Sequence, residues 1–156
     1  MDISIVIPLL NESESILPLH NWIISSLEKE KNKYEIIFID DGSSDYSWEV
    51  IAELCKKYPN THGIQFSKNY GKSQALHAGF TKAQGDFVVT MDADLQDSPE
   101  EILSMIAQIK EEDLDLISGW KKKRYDSILL KIYPLKSLIG LPEGFRASNS
   151  MILIAG

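Results

Sequence analysis

Two aspartates one residue apart, Asp92 and Asp94, close the apolar run in VVTMDADLQDSPEE, and Gln96 and Asp97 follow. Carboxylates are hard oxygen ligands. A pair converging where a strand becomes a loop suits Mg2+ or Mn2+, which keep waters and bridge to phosphate oxygens. An ion held there neutralises charge developing on a departing diphosphate. The same residues would also serve a plain turn with an Asx cap, so the other polar clusters must separate the readings.

Three more clusters stand out. In IDDGSSD (Ile39 to Asp45), Asp41-Gly42 suits a tight turn and Ser44 or Asp45 a helix cap. A turn does not require Asp40, and an acidic side chain there can accept hydrogen bonds from a nucleobase or ribose. In IPLLNESES, Pro8 closes an apolar run, and Asn11-Glu12 either cap the next helix or face a ligand. In KNYGKSQAL, Gly71 and Lys72 precede a helix N-terminus, a natural anion contact or else a glycine turn with a solvated lysine. His20, His62 and His77 lack metal-ligand spacing and are read as packing or surface residues.

The elements that must position these groups alternate. ISIVI (Ile3 to Ile7), EIIFI (Glu35 to Ile39), HGIQF (His62 to Phe66), DFVVTM (Asp86 to Met91) and LDLISG (Leu114 to Gly119) read as strands. Helices are expected between them. Ile16, Leu19, Ile23 and Leu27 share one face, and Trp48, Ile51 and Cys55 another. GKSQALHAGFTKAQ forms a small-residue helix. SPEEILSMIAQIKEE starts with Ser98 as cap and Pro99 at its first position, and buries Ile102, Met105, Ile106 and Ile109. Such alternation implies βαβ units and an α/β, mostly parallel, Rossmann-like sheet flanked by helices. Ligands of such sheets bind at the carboxyl ends of the strands, where all four polar clusters fall.

The bulk numbers agree with a soluble globular domain: 156 residues, 44% hydrophobic and 25% charged. The single cysteine, Cys55, excludes an internal disulfide and fits a reducing compartment as a buried thiol. MDISIVIPLL lacks the basic start of a signal peptide, and no apolar run approaches the roughly 20 residues of a membrane span. Net charge is −7, but unevenly spread. Residues 1–118 carry 9 Lys+Arg against 21 Asp+Glu, whereas residues 119–156 carry 7 against 2. The acidic body argues against nucleic acid, and the basic end suggests an anionic partner.

Taken in order, IVIPLLNE, EIIFIDDGSSD, NYGKSQALHAGF, GDFVVTMDADLQDSPE and DLISGW resemble the family 2 glycosyltransferases over residues 2–124. Within that group the chain is similar to the dolichol-phosphate mannose synthase-like and bacterial polyprenyl-phosphate branch. The resemblance implies a GT-A fold, a nucleotide-diphospho-sugar donor, a Mg2+ or Mn2+ ion and inverting transfer. It assigns donor binding to Pro8, Asn11 and Glu12, with Leu10 where an aromatic is usual. It places Ile39, Asp40 and Asp41 at the base and ribose, and Asp92, Ala93, Asp94 and Gln96 at the metal and diphosphate. Asp92 and Asp94 are the expected catalytic residues and, with Gln96, the metal ligands. Lys72 and Lys121 are further anion contacts.

Residues 1–119 then form the nucleotide-sugar-binding core, and residues 120–156 an acceptor-side segment of the same domain. In the latter, Lys121, Lys122, Lys123 and Arg124 precede SILLKIYPLKSLIG. Basic residues beside an interfacial apolar stretch suit an anionic membrane surface, although the stretch also suits packing on the sheet. EGFRASNSMIL resembles the family's closing motif, which makes Arg146 a diphosphate contact. It arrives about a score of residues early, so this segment is expected to be shortened, and donor binding can outlast turnover. The acceptor implied is a polyprenyl or dolichyl phosphate, and the location the cytoplasm at the inner membrane face. A phosphate acceptor needs no strong general base. The alternatives are transfer to a saccharide hydroxyl in cell-surface polysaccharide synthesis and a non-catalytic nucleotide-sugar-binding remnant. A dinucleotide dehydrogenase would need G-x-G-x-x-G after the first strand, which is absent.

Overall fold

The computed structural model describes residues 1–28, 33–112, 114–119 and 150–154. Its elements run β1 (Ile3–Leu9), α1 (Ser13–Leu27), β2 (Tyr34–Asp40), α2 (Ser47–Lys57), β3 (Thr61–Gln65), α3 (Lys72–Lys82) and β4 (Phe87–Thr90). A 3-10 turn (Pro99–Glu101), α4 (Ile102–Glu112), β5 (Leu116–Gly119) and β6 (Ser150–Ile154) complete them. The strands form one sheet in the order β3-β2-β1-β4-β6-β5, and every pairing among the described residues is parallel.

β1 lies at the centre, paired to β2 on one side and β4 on the other, and all seven of its residues are buried. A strand covered on both faces cannot alternate with water, which is why ISIVIPL reads as a near-continuous apolar run. Its one hydroxyl is satisfied internally. Ser4 lies beside Glu35 in the β1–β2 register and donates to Glu35 Oε1 at 2.6 Å. Glu35 Oε1 also accepts the Gln84 N–H at 2.8 Å, and Ser4 Oγ accepts that of Gly85 at 2.8 Å. A buried polar cluster thus ties β1 and β2 to the turn before β4, with no group left to be desolvated unpaired.

From β1 the chain steps outward to β2 and β3, then returns across the sheet to β4. That reversal divides the helices between two faces. Ile16, Leu19 and Ile23 of α1, Ile51 of α2 and Ile102, Ile106 and Ile109 of α4 pack in one cluster with Ile5, Ile7 and Phe38. Ala75 of α3 packs with Val6, Ile37 and Ile39 in another, flanked by Leu76 and Phe80. Each large aliphatic side chain fully buried this way contributes about 1.5–3 kcal/mol. The reversal also opens a crevice between the carboxyl ends of β1 and β4, the usual ligand position in such sheets.

Two elements depart from the sequence reading. β6, from the MILI tail, inserts between β4 and β5, aligning Phe87 with Ser150 and Leu116 with Met151. A four-residue apolar run carries no period of its own, so its neighbours decide whether it is a strand. α2 starts at Ser47 with Tyr46 in the N-cap position, so Asp45 stands one residue outside it and reaches the first N–H of the helix from there. Among the described residues, no helix is long and apolar enough to cross a membrane.

Candidate functional site

A cavity of about 350 Å3 opens at this crevice. Pro8, Leu9, Leu10 and Glu12 line it from β1 and the loop that follows, Asp41 from the end of β2, and Asn69, Gly71 and Lys72 from the start of α3. Asp92, Ala93 and Asp94 close it after β4.

The loops around the cavity are held by polar side chains reaching from one strand end to the next. Asn11 Oδ1 accepts the Ser44 N–H at 2.9 Å, and the Asn11 N–H donates to Ser43 Oγ at 2.8 Å. Asn11 therefore stitches the β1 and β2 loops together instead of capping α1. Its φ of 57° is one that Asn tolerates better than most residues. The Ser13 N–H, an otherwise unpaired donor at the start of α1, donates to Asp45 Oδ2 at 3.1 Å. Asp45 Oδ1 accepts both the N–H and the hydroxyl of Ser47, at 3.0 and 2.6 Å. Burial alone would raise the Asp45 carboxyl, but the hydrogen bonds from Ser47 and Ser13 outweigh it and bring the pKa down to about 2.

Asp41 repeats the device one strand further on. It is 5% exposed, and its two oxygens accept the Tyr70 and Gly71 N–H groups at 2.8 and 2.9 Å. These bonds fix the backbone entering α3, where Gly71 takes φ 95° and ψ 152°, a region open essentially to glycine alone. Gly42 serves from the other side. At φ 77° it meets the β3–α3 loop so closely that a Cβ would lie 2.3 Å from the Lys68 carbonyl carbon.

The carboxylates after β4 complete the ring. Lys72 Nζ contacts Asp92 Oδ1 at 2.5 Å, joining the start of α3 to the end of β4. The Asp92 N–H donates to Asp97 Oδ2 at 3.2 Å, which holds the loop closed from beneath. Asp94 is exposed at the cavity edge, and its Oδ1 accepts the Gln96 N–H at 3.0 Å in an Asx turn. The turn expected of DADLQ is present, and the same residue lines the cavity. Leu95 between them has φ 63°, costly for a side chain without a local hydrogen bond, and strain of this kind gathers at functional loops.

The donor set fits a hard divalent cation that takes its other ligands elsewhere. Asp92 and Asp94 line one cavity, and among the described residues no group of three or more His, Cys, Asp or Glu forms an all-protein cage. Two carboxylates completed by waters and phosphate oxygens is how Mg2+ and Mn2+ are held beside nucleotides.

Of the residues singled out by sequence, Pro8, Leu10, Glu12, Asp41, Lys72, Asp92, Ala93 and Asp94 meet at this cavity. Asn11 lines a neighbouring depression with Glu14, Asp45 and Leu95. Ile39 is not brought to the cavity surface: it is fully buried, packed with Val6 and Ala75 beneath α3. Asp40 is fully buried as well, with Oδ1 accepting the Ser43 N–H at 2.8 Å. It is the last residue of β2, whereas Asp41 belongs to the loop that follows. Gln96 is exposed outside the cavity lining, bonded through its N–H to Asp94. Lys121 and Arg146, with the basic stretch around Lys122–Arg124, lie outside the described residues. Sequence reasoning passed over Leu9 and Asn69, which line the cavity. The final strand residue Leu9 showed no signal, while Asn69 beside Gly71 was open to a reading as a turn residue.

An open parallel sheet with a carboxylate-edged crevice at its switch point defines an α/β domain of the GT-A kind. The glycosyl transferase family 2 model matches residues 4–151, and the chain belongs to that family. It is 41% identical over 126 residues to the undecaprenyl-phosphate 4-deoxy-4-formamido-L-arabinose transferase of Proteus mirabilis, covering 80% of this chain and 38% of that one. It is 32% identical over 139 residues to the dodecaprenyl-phosphate galacturonate synthase of Rhizobium johnstonii, covering 86% and 40%. The chain therefore spans about two fifths of the length of these curated relatives. The fold is similar to that of S. aureus TarS residues 1–349 in complex with UDP, with a TM-score of 0.67 at 23% identity over 83% of this chain and 38% of that one. It is also similar to the mannosyltransferase PcManGT of Pyrobaculum calidifontis in complex with GDP-Man and Mn2+, with a TM-score of 0.57 at 22% identity over 65% and 30%.

Proposed function

We propose that this chain carries the donor site of an inverting glycosyltransferase that moves a sugar from a UDP- or GDP-sugar to a polyprenyl phosphate. The observation that carries the reading is the convergence of Asp92, Asp94, Lys72, Asp41 and Glu12 on one cavity at the β1–β4 crevice. Relatives named for undecaprenyl- and dodecaprenyl-phosphate transfer support the acceptor class, and fold neighbours bound to UDP or GDP-Man support the donor class.

In this reading Pro8, Leu10, Glu12 and Asp41 bound the nucleotide, and Asp92 and Asp94 would hold a Mg2+ or Mn2+ ion. When bound, that ion neutralises charge as the diphosphate departs. A phosphate oxygen of the acceptor attacks the anomeric carbon from the face opposite the leaving group. The bond to the diphosphate breaks, and the nucleoside diphosphate takes the electron pair, inverting the centre. The attacking oxygen is already anionic at neutral pH, so no side chain is required to take its proton. The segment from residue 120 belongs to the same proposal. Lys121 and Arg146 contact phosphate, and the basic, apolar stretch makes peripheral contact with an anionic membrane at the cytoplasmic face.

Calorimetric titration of UDP, GDP and their sugars, with and without Mn2+, tests this on the wild type and Asp94→Ala. Metal-dependent binding by the wild type that the variant loses is the expected result, and it identifies the base as well. Folded wild type that binds none of them would sink the donor-site reading. Donor binding without transfer to a polyprenyl phosphate would redirect the reading to a saccharide hydroxyl acceptor or to a binding remnant.

A further inference from the structure

Lys72 Nζ rests on Asp92 Oδ1, so a lysine ammonium sits on an oxygen that the proposed cation needs. The two cannot share it comfortably. Mg2+ approaches its oxygen ligands to about 2.0–2.1 Å, and a second positive charge on the same atom is repelled. Yet the pair is built to come apart. The side chains of Lys72 and Asp92 are 61% and 31% exposed, and exposed ion pairs of this kind are weak. The lysine stem is flexible, whereas its root is fixed: Lys72 begins α3, and Asp41 grips the two N–H groups just before it. The ammonium can therefore swing over the cavity from a pinned Cα.

We propose that Lys72 is an exchangeable counter-ion, holding Asp92 until a divalent cation takes that oxygen and then pairing with the diphosphate. This rests on the donor-site reading and adds a coupling to it. A cation arriving alone must evict the ammonium and gives it no new partner. A cation arriving with a nucleoside diphosphate offers the ammonium a phosphate oxygen. Metal and nucleotide then strengthen each other's binding by the same factor.

The test compares wild type, Lys72→Met and Lys72→Arg. Mn2+ binding alone is read from the paramagnetic resonance of free Mn2+, and UDP or GDP binding in the presence of Mn2+ from calorimetry. Lys72→Met should bind Mn2+ alone about two- to fivefold tighter, the size of a lost exposed ion pair. It should bind the nucleoside diphosphate with Mn2+ about ten- to a hundredfold more weakly, the size of a lost charge-assisted contact. Lys72→Arg, which keeps the charge, should stay near wild type in both. Equal Mn2+ affinity in wild type and Lys72→Met, or weaker affinity in the variant, overturns the exchange while leaving the donor site standing. Wild type that binds no nucleotide with Mn2+ overturns the donor site, and the exchange falls with it.

Discussion

Asp41 Oδ2 accepts the backbone N–H of Gly71 at 2.9 Å, so the end of β2 decides where α3 begins. This bond and its neighbour to Tyr70 turn a carboxylate at the cavity wall into a brace for the loop that carries Lys72. A residue expected from sequence to contact a ligand is therefore a positioning residue in its own right. The two roles predict different losses when it is changed.

Asp41→Ala removes two hydrogen bonds to a buried charge, each worth about 1.5–3 kcal/mol. A loss of about 3–6 kcal/mol in urea denaturation is expected, together with weakened nucleotide binding. Asp94→Ala should cost less than about 1 kcal/mol, because its single bond closes an exposed turn. Comparable destabilisation in both would show that Asp41 is not the brace described.

Two glycines separate strain from crowding. Gly42→Ala meets both a φ of 77° and the Lys68 backbone at 2.3 Å, and should cost about 2–5 kcal/mol. Gly71→Ala meets a φ of 95° in open space, with nothing within 4 Å of the added carbon. Its cost should be about 1–3 kcal/mol. Paired denaturant midpoints check the order, and a larger loss at Gly71 would contradict it.

Acid should weaken the α1–α2 junction through Asp45. Its folded pKa of about 2 lies below its ordinary 3.8, so the folded state holds the proton less tightly than the unfolded chain. The stabilisation is complete above about pH 4 and is lost as pH falls toward 2. The stability difference between wild type and Asp45→Ala, followed by urea titration from pH 5 downward, should shrink with acid. A constant difference would mean that the Ser13 and Ser47 bonds do not depend on charge.

His20 acts in a higher window. It is fully buried against Thr61 Oγ1 at 2.9 Å, and burial pushes its pKa below 6.5. The unfolded chain takes up the proton first, so stability falls as pH drops below about 6.5 toward the folded value. His20→Gln should flatten the stability profile between pH 7 and 5. An unchanged slope would assign that dependence to another group.

The alternation of elements is legible in the amino-acid sequence, because short apolar runs bounded by turn residues, such as IIFI before DDGSSD, differ in length from amphipathic stretches such as ILSMIAQI. The sequence also marked Asp92, Asp94, Asp41, Glu12 and Lys72, since four polar clusters at the carboxyl ends of successive strands fall where such sheets bind ligands. Sequence could not place β6, because the position of MILI between β4 and β5 depends on edges formed far away in sequence. Nor could spacing tell Asp40 from Asp41. Asp40 ends β2 and is buried, whereas Asp41 opens the loop and lines the cavity, and only the paired sheet decides where strand gives way to loop. The contact between Lys72 and Asp92 is likewise a tertiary fact. They stand twenty positions apart in sequence, and they meet because the chain reverses between β3 and β4 and brings the first turn of α3 over the end of β4.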